Sequence, residues 1–355
     1  MDIIKKKKAI VLSGGGAKGA YEAGVLKYII QNWGLQFDIV VGTSAGALNS
    51  FMYSSLDLTF SNETNAKKMC KPWEEVKFTN VLKLPIDDYI KGKFNSLFDN
   101  RQLINFIAKY FDQEIQDSNI KNNKIETLIV TTGELTSGAS HVWYTTNNSS
   151  TEVKSERWIP HKMDKLQVNH AVASGAIPCV FRAVELEDEN GRKNWHNDGG
   201  VVMNTPINPA IRAGAEKILI IYLGNPDQKP AQEIPNVFQV LNGTAFTILY
   251  NHLKEDVIRA NTINYLLDKL GVSFFEGYKK VSLNVIRPEI NIDERTATII
   301  KDTNFLTRLF LPKFLLKILS SSGLFMNNNY TKILLDIGYS DAKIMHNELE
   351  KFFND

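Results

Sequence analysis

Cysteine is scarce in this sequence. Only two cysteines occur among 355 residues, Cys70 and Cys179, and they stand far apart in no C-x-x-C or metal-like spacing. Their number and spacing argue against a disulfide framework and against a zinc site built on thiolates. The scarcity also fits a reducing compartment, so a cytoplasmic location is expected.

Long apolar runs are also missing. No stretch reaches the roughly 18 uninterrupted apolar residues that a membrane span requires. A basic run at residues 5–8 precedes the apolar residues 9–12, but that apolar run is far shorter than the core of a secretory signal. The sequence therefore predicts a protein that is soluble, or that lies peripherally on a membrane without crossing it.

Neither sign of charge is in excess. The 41 basic and 39 acidic side chains leave a formal net charge of +2, which gives no global reason to expect a nucleic-acid partner. With 43% hydrophobic residues, the chain is long enough to bury one large core. We expect one main domain with additions.

Short apolar runs alternate with segments whose apolar residues recur at helical spacing. Strands are predicted at residues 9–12, 37–41, 127–132, 141–145, 217–223 and 281–286, and helices at residues 18–33, 45–54, 101–111 and 206–213. Such alternation predicts an α/β fold, with a mostly parallel central sheet and helices on both faces.

Two regions are less regular. Residues 57–98 are polar and weakly periodic, which fits either a lid over a pocket or a plain helical insertion. Beyond residue 235 the chain is mostly helical in character. We predict a main catalytic domain over residues 1–290 and a helical C-terminal extension over residues 291–355 that packs on it.

The strongest motif is G-T-S-A-G at residues 42–46, which matches G-x-S-x-G. It falls between a predicted strand and a predicted helix, the setting of a nucleophile elbow. A sharp turn there strains the serine backbone and presents the hydroxyl, while Gly42 and Gly46 let the chain pass closely. The amide of Ala45 points toward the charge that develops on attack. Ser44 is thus a candidate nucleophile, although an ordinary glycine-rich turn can share this short pattern.

A second motif is G-G-G-A-K-G at residues 14–19, after the first predicted strand and before the first helix. Glycines at such a turn let backbone amides face the oxyanion of an acyl-transfer intermediate. Gly15 and Gly16 are the candidate donors. Lys18 adds positive charge at the same helix start, where it either holds an anionic headgroup or is simply solvated.

The same turn also satisfies the dinucleotide-binding pattern G-x-G-x-x-G through Gly14, Gly16 and Gly19. That interpretation needs an acidic residue at the end of the second strand, whereas Asp38 stands at its beginning. A P-loop is excluded more firmly, because Ala20 occupies the position where that motif requires lysine. The second turn carries the serine motif instead.

The third motif is Asp198, followed by Gly199 and Gly200. A nucleophilic serine needs a base within hydrogen-bond reach, and in the usual triad that base is histidine. His170 and His196 stand in no recognisable triad context and are interpreted as structural. No third ligand follows His196 and Asp198 at a sensible spacing, so no metal site is predicted.

Taken in this order, the three motifs resemble those of the patatin-like phospholipase family. The resemblance covers residues 9–212 and includes A-S-G-A-I-P at residues 173–178, ahead of D-G-G. Residues 336–342 further resemble the closing helix of many bacterial members. The resemblance implies a three-layer sandwich related to the α/β-hydrolases, a lipid or fatty-acyl ester as substrate, and no cofactor.

The resemblance also implies a catalytic dyad without histidine. Ser44 attacks the ester, Asp198 takes its proton, the glycine turn holds the oxyanion, and water then releases the acyl group. Lys18 replaces the more frequent family arginine, and lysine is a point donor rather than a planar fork. The site residues expected on this basis are catalytic Ser44 and Asp198, oxyanion-hole Gly14, Gly15, Gly16 and Ala45, and supporting Lys18, Gly19, Gly42, Gly46, Gly199 and Gly200.

Alternatives stay open for the reaction and for membrane contact. An acyltransferase or a thioesterase uses the same dyad, and a non-catalytic lipid-binding protein on the same fold needs only the pocket. Residues 305–319 combine many apolar side chains with three basic ones and no acidic one. They fit an interfacial helix or, with Pro312 interrupting, a segment packed on the core or lining an acyl pocket.

Overall fold

The chain begins with two strand–turn–helix units. Strand β1 (Lys8–Leu12) leads through a 3₁₀ turn (Gly16–Lys18) into helix α1 (Gly19–Trp33), and β2 (Ile39–Gly42) leads into α2 (Ala45–Ser54). The two strands pair in parallel, so both turns lie at the same edge of the sheet. The computed structural model describes residues 6–81, 83–93, 95–223, 252–275, 278–289 and 328–354.

The later elements continue the alternation of strands and helices. The other described strands are β3 (Thr127–Glu134), β4 (Ser140–Thr146), β5 (Ile159–Lys162), β6 (Val184–Glu187), β7 (Lys193–Asp198), β8 (Lys217–Ile221), β9 (Phe274–Phe275), β10 (Tyr278–Lys279) and β11 (Ser282–Ile286). The other described helices are α3 (Asn62–Glu75), α4 (Phe78–Val81), α5 (Ile86–Ile90), α6 (Arg101–Ala108), α7 (Gln113–Lys121), α8 (Val168–Ser174), α9 (Gly200–Met203), α10 (Ile207–Arg212), α11 (His252–Leu270), α12 (Asn328–Ile344) and α13 (His346–Asn354).

Strands β1 to β8, together with β11, form one nine-stranded sheet. Neighbours in the central run β11-β8-β1-β2-β3 are all parallel. Strand β4 is antiparallel to β3, and the hairpin β6–β7 attaches through β7 to the end of β3. The predicted mostly parallel sheet is confirmed. Strands β5 to β7 were not predicted, because they contain no continuous apolar run that would mark them.

Helices cover both faces of the sheet, as predicted. Side chains alternate along each buried strand, so Ile10 and Leu12 of β1 face a core built with α1, α2, α3, α8 and the C-terminal helices. Ala9 and Val11 face the opposite core, which includes residues of α10. The sheet is therefore the middle of three layers.

The irregular region at residues 57–98 begins with a helical insertion. Helix α3 starts at Ser61, whose side chain accepts a hydrogen bond from the Thr64 amide, a usual N-cap. Its apolar face packs against α1 and buries Met69 and Trp73. This part of the region is held on the core and is not a free lid. Short helix α5, in contrast, buries no residue.

Helix α12 lies directly against α1. A Cβ added to Gly24 would lie 2.1 Å from the carbonyl oxygen of Leu335, and one added to Gly338 would lie 2.0 Å from that of Tyr21. The two glycines therefore allow the helix backbones to touch. The predicted closing helix at residues 336–342 is confirmed within α12.

A helical C-terminal region is thus present, and its helix α12 contacts α1. The segment at residues 305–319, which the sequence offers as a membrane or core helix, lies outside the described residues. The predicted boundary between residues 290 and 291 also falls there and stays a prediction. Across the described parts of the chain, no helix combines the length and the apolar character needed to cross a bilayer.

Close contact between α1 and α12 gives a first prediction. Gly24→Ala places a methyl group against the Leu335 carbonyl, and forcing atoms into a well-packed site typically costs about 1–3 kcal/mol. We expect a lower urea midpoint with an unchanged slope. Gly175→Ala serves as the control, since an added Cβ there meets nothing nearer than 3.8 Å. Equal midpoints for Gly24→Ala and the wild type would contradict this packing.

Candidate active site

Ser44 lies at the turn between β2 and α2 with an unusual backbone. Its φ of 56° and ψ of −122° fall in a region that a residue with a side chain rarely adopts. The Ser44 amide donates to Ser174 Oγ at 2.8 Å, which helps hold this strained conformation. These backbone angles are the strained conformation that the G-x-S-x-G motif predicts for Ser44.

Glycines flank this turn because other backbone passes too close for a side chain. A Cβ on Gly42 would lie 2.3 Å from the Gly46 carbonyl oxygen, and a Cβ on Gly46 would lie 2.2 Å from that of Leu12. At Gly199 the nearest atom is the Thr131 carbonyl oxygen, at 2.2 Å. These contacts bring the ends of β1, β2, β3 and β7 together.

Asp198 is the last residue of β7 and lies beside the elbow. Its Oδ2 accepts a hydrogen bond from Ser44 Oγ at 2.7 Å, and its Oδ1 accepts one from the Gly200 amide at 2.6 Å. The Asp198 amide in turn donates to the Ala176 carbonyl at 2.9 Å. The structure thus brings together two residues that are 154 positions apart in the chain.

Burial changes the acidity of this carboxyl group. Asp198 is only 2% exposed, and loss of water around the charged form raises its pKa to about 7, against the lowering effect of the hydrogen bonds from Ser44 and Gly200. An ordinary aspartate, with a pKa near 3.9, is a weak base at neutral pH. Here the carboxylate has a proton affinity suited to taking a proton near pH 7.

The glycine turn lies next to this pair. An added Cβ on Gly14 would lie 3.0 Å from the Ser44 Cβ. Gly16 has a φ of 58°, which favours glycine. The Gly14 amide already donates to the Asn204 carbonyl at 3.2 Å. Among the described residues, no acceptor is found for the amides of Gly15, Gly16 and Ala45.

Three residues that support the site were not singled out from the sequence. Ser174 holds the elbow, while Asn204 holds Gly14 through its carbonyl oxygen. Thr205 contacts Ser13 through the two hydroxyl groups at 3.2 Å. The only signal was position, since Ser174 lies in the A-S-G-A-I-P segment and the other two follow D-G-G closely. Polar residues of these types are too common in loops to be assigned without coordinates.

Lys18 is buried, which contradicts the interpretation of this residue as a solvated lysine. Its side chain is 2% exposed, because α1, α2 and α12 pack around the 3₁₀ turn that carries it. Close by in the chain, Glu22 is fully buried and accepts a hydrogen bond from Asn49 Nδ2 at 2.8 Å. Burial raises the pKa of Glu22 well above its usual value, which favours the neutral acid.

No described histidine is hydrogen-bonded to Ser44 or Asp198. His196 is buried on the same strand as Asp198, and its Nδ1 lies 3.0 Å from Thr132 Oγ1. Burial lowers the pKa of His196 to about 3 and that of His170 to about 4. Both imidazoles are therefore neutral at pH 7, and Ser44 has a carboxylate as its hydrogen-bond partner.

Fold and site together define an α/β protein with a serine and an aspartate paired at the carboxyl edge of a mostly parallel sheet. A family model described as patatin-like phospholipase matches residues 10–211. The chain belongs to the patatin-like phospholipase family. The match coincides with the span 9–212 that the motifs indicate.

Curated relatives agree with this assignment. Patatin-like phospholipase domain-containing protein 6 of Mus musculus is 25% identical over 224 residues, covering 62% of this chain and 14% of the relative. Patatin-like phospholipase domain-containing protein 7 of Mus musculus is 25% identical over 236 residues, covering 66% of this chain and 15% of the relative. This chain therefore spans only about 14–15% of the length of these relatives.

Solved structures resemble the chain more distantly. Human GIVD cytosolic phospholipase A2 aligns with 98% of this chain and 59% of its own, at 12% identity and a TM-score of 0.47. VipD from Legionella pneumophila aligns with 93% of this chain and 67% of its own, at 14% identity and a TM-score of 0.34. The family assignment rests on the family model and not on these alignments.

Proposed function

We propose that the protein is a lipid acyl hydrolase that works through a Ser44–Asp198 dyad and an acyl-enzyme intermediate. The observation that carries the proposal is the 2.7 Å hydrogen bond from Ser44 Oγ to a buried Asp198 carboxylate. Nucleophile and base within this distance are the signature of covalent catalysis. The family match supports the lipid class of the substrate.

The first half-reaction forms the acyl-enzyme. Ser44 Oγ attacks the ester carbonyl carbon as Asp198 takes the hydroxyl proton, and the carbonyl oxygen becomes an oxyanion. The amides of Gly15, Gly16 and Ala45 stabilise that charge, and one such donor is typically worth about a hundredfold to a thousandfold in rate. Protonated Asp198 then gives its proton to the departing alcohol oxygen.

The second half-reaction returns the enzyme to its starting state. Water attacks the acyl carbon while Asp198 takes one of its protons, and the same amides hold the new oxyanion. Collapse of this intermediate breaks the bond to Ser44 Oγ, which regains a proton from Asp198. The products are a free fatty acid and the alcohol part of the lipid.

A small apolar cavity of about 30 Å³ lies next to the elbow helix, and it would have to widen to admit an acyl chain. It is lined by residues of α2, α3 and α6, among them Leu48, Met52, Trp73 and Phe106. Leu48 lies one helical turn after Ser44, so this cavity lies close to the nucleophile. Burying methylene groups supplies about 0.8 kcal/mol each, which favours fatty acyl substrates over short esters.

The reaction class is tested by the fate of the acyl group. Incubation with p-nitrophenyl esters and with phospholipid vesicles releases free fatty acid if the protein is a hydrolase. Transfer of the acyl group to an added alcohol would indicate an acyltransferase, and preference for thioesters would indicate a thioesterase. Vesicle binding without release of any acyl group would contradict the proposal and favour a lipid-binding protein.

Exposed apolar side chains suggest where the protein meets a lipid surface. Ile86 and Ile90 of α5 are 59% and 79% exposed, and exposed lysines flank them in the chain. The segment that follows α5 pairs with the loop after α8, through a bond from the Leu97 amide to the Cys179 carbonyl. The amide of Asp198 contacts the start of that loop at Ala176. We infer that α5 contacts the membrane.

Membrane contact through α5 predicts that substitutions in this helix affect vesicles and a dissolved ester differently. Ile86→Asp combined with Ile90→Asp should lower hydrolysis of phospholipid vesicles about tenfold or more, since each aliphatic side chain withdrawn from water is worth about 1.5–3 kcal/mol. Hydrolysis of a short dissolved ester should stay unchanged. Ile344→Asp is the matched control, because Ile344 is also exposed but ends α12. Equal losses on both substrates would contradict a surface role for α5.

A further inference from the structure

Four of the six histidines gather around Trp143, and none of the four is hydrogen-bonded to Ser44 or Asp198. The ring of Trp143 stacks on His161 with centroids 4.1 Å apart, and His141, His170 and His196 lie around it at 6.1, 5.1 and 5.3 Å. Each of the four is at most 5% exposed. The proposed hydrolysis uses none of them, so their burial calls for another explanation.

Two of these imidazoles connect to a pair of acidic residues. His141 Nδ1 lies 2.8 Å from His161 Nε2, and His161 Nδ1 lies 2.8 Å from Glu189 Oε2. Asp188 completes a group with His161 and Glu189 in which the candidate ligand atoms all lie within 4.8 Å of one another. Both acidic residues belong to the turn of the β6–β7 hairpin, whereas His161 belongs to β5.

A cavity opens next to this group. Its volume is about 600 Å³, and His170, Asp188 and Glu189 contribute to its lining. Among the described residues, Nε2 of His170 is buried without a hydrogen-bond partner, whereas Nε2 of His141 lies 3.6 Å from Glu134 Oε2. A buried ring nitrogen left unpaired is unfavourable, and a neighbouring ion with its bound water gives such a nitrogen a partner.

We propose that His161, Asp188 and Glu189 form a binding site for one divalent transition-metal ion of the zinc class. One imidazole nitrogen and two carboxylates are a donor set that such ions accept. Ligands about 2.1 Å from an ion lie at most about 4.2 Å from each other. The present 4.8 Å therefore requires only a small rotation of the two carboxylate side chains.

The surroundings favour an ion at this place. His141 holds His161 from the opposite nitrogen, the orienting contact that metal-bound imidazoles usually have. The cavity leaves further coordination positions open to water.

A bound ion is expected to stabilise the folded protein by connecting two parts of the sheet. The metal joins β5 to the β6–β7 hairpin, and β7 ends at Asp198. Binding an ion to the folded state alone raises stability by mass action, so zinc should raise the melting temperature. No metal site is predicted from the sequence, because His161 lies on β5 while Asp188 and Glu189 lie in the β6–β7 turn, without a recognisable spacing.

The test is zinc binding by the full chain carrying no polyhistidine tag. After removal of metal, calorimetric titration with ZnCl₂ should give one ion per chain, and a cobalt-loaded sample should show visible absorption bands. His161→Gln should abolish this binding. Glu189→Gln should weaken it at least tenfold, and His141→Gln, which removes only the orienting contact, should weaken it about 10–100-fold.

Glu185→Gln is the matched control, since Glu185 lies on the same hairpin and lines the same cavity but is outside the ligand group. It should bind zinc as the wild type does. Glu189 is exposed, so its substitution leaves the core intact, and metal-free melting curves check the folding of every variant. Absence of binding to the wild type at micromolar zinc, or equal binding by the wild type, His161→Gln and Glu189→Gln, would overturn the proposal.

Discussion

Ser44→Ala should reduce ester hydrolysis by about 10⁴- to 10⁶-fold, the loss seen when the nucleophile of a serine hydrolase is removed. The reason is that no other described hydroxyl shares the hydrogen bond to Asp198 Oδ2. Ser55→Ala, at the other end of α2, is the control and should keep full activity. Both variants should bind lipid vesicles as the wild type does, because neither side chain belongs to the exposed surface of α5.

Measured initial rates on a p-nitrophenyl ester, with fatty acid release from vesicles in parallel, decide this prediction. A Ser44→Ala protein that keeps more than a few per cent of wild-type activity would mean that another residue attacks the ester. The dyad would then have to be abandoned, although the family assignment would stand.

Asp198→Asn should also remove most activity, by about 10³- to 10⁵-fold, yet it should stabilise the fold at high pH. The amide keeps the shape of the carboxylate but cannot take the Ser44 proton. It also carries no charge in a site from which water is excluded. Loss of function together with a gain in stability is the outcome expected when a buried charged group serves catalysis rather than folding.

The pH dependence of this effect follows from the raised pKa of Asp198. Its pKa is about 7 in the folded protein and about 3.9 when unfolded. The protonated form is therefore favoured by folding, and its stabilisation is full below about pH 4 and is lost as the pH rises through about 7. Relative to the wild type, Asp198→Asn should gain up to about 4 kcal/mol at pH 8 and little near pH 4.

Thermal melting of both proteins between pH 4 and pH 9 measures this difference directly. In the same pH range, kcat/KM of the wild type should rise through about pH 7, since the free enzyme needs the carboxylate. A melting temperature of Asp198→Asn that stays below that of the wild type at pH 8 would contradict the buried-charge account.

The central strands could be predicted from the sequence because they are short apolar runs that end at glycine turns. Val40 and Val41 of β2, for example, are completely buried, and an uninterrupted apolar run marks such a strand. The elbow was found for a similar reason, since close backbone contacts at Gly42 and Gly46 require glycine. The residue types within this short segment are therefore enough to predict both the strand and the turn that follows it.

Strand β7 and the contacts that support the site could not be predicted from the sequence. Strand β7 reads K-N-W-H-N-D, a polar stretch whose strand character comes from pairing with β3 and β6. The site also depends on Ser174 and Asn204, which hydrogen-bond to the backbone of residues far away in the sequence, Ser44 and Gly14. Contacts of this kind leave no periodic trace in a sequence, because only the fold brings the partners together.

Covalent labelling tests the central claim most directly. The wild-type protein is treated with an alkyl fluorophosphonate, which reacts with an activated serine, and the modified peptide is identified by mass spectrometry. The dyad predicts a single adduct on Ser44, formed much more slowly in Asp198→Asn and absent in Ser44→Ala. Labelling of a different serine, or labelling of Ser44 at the same rate in Asp198→Asn, would contradict it.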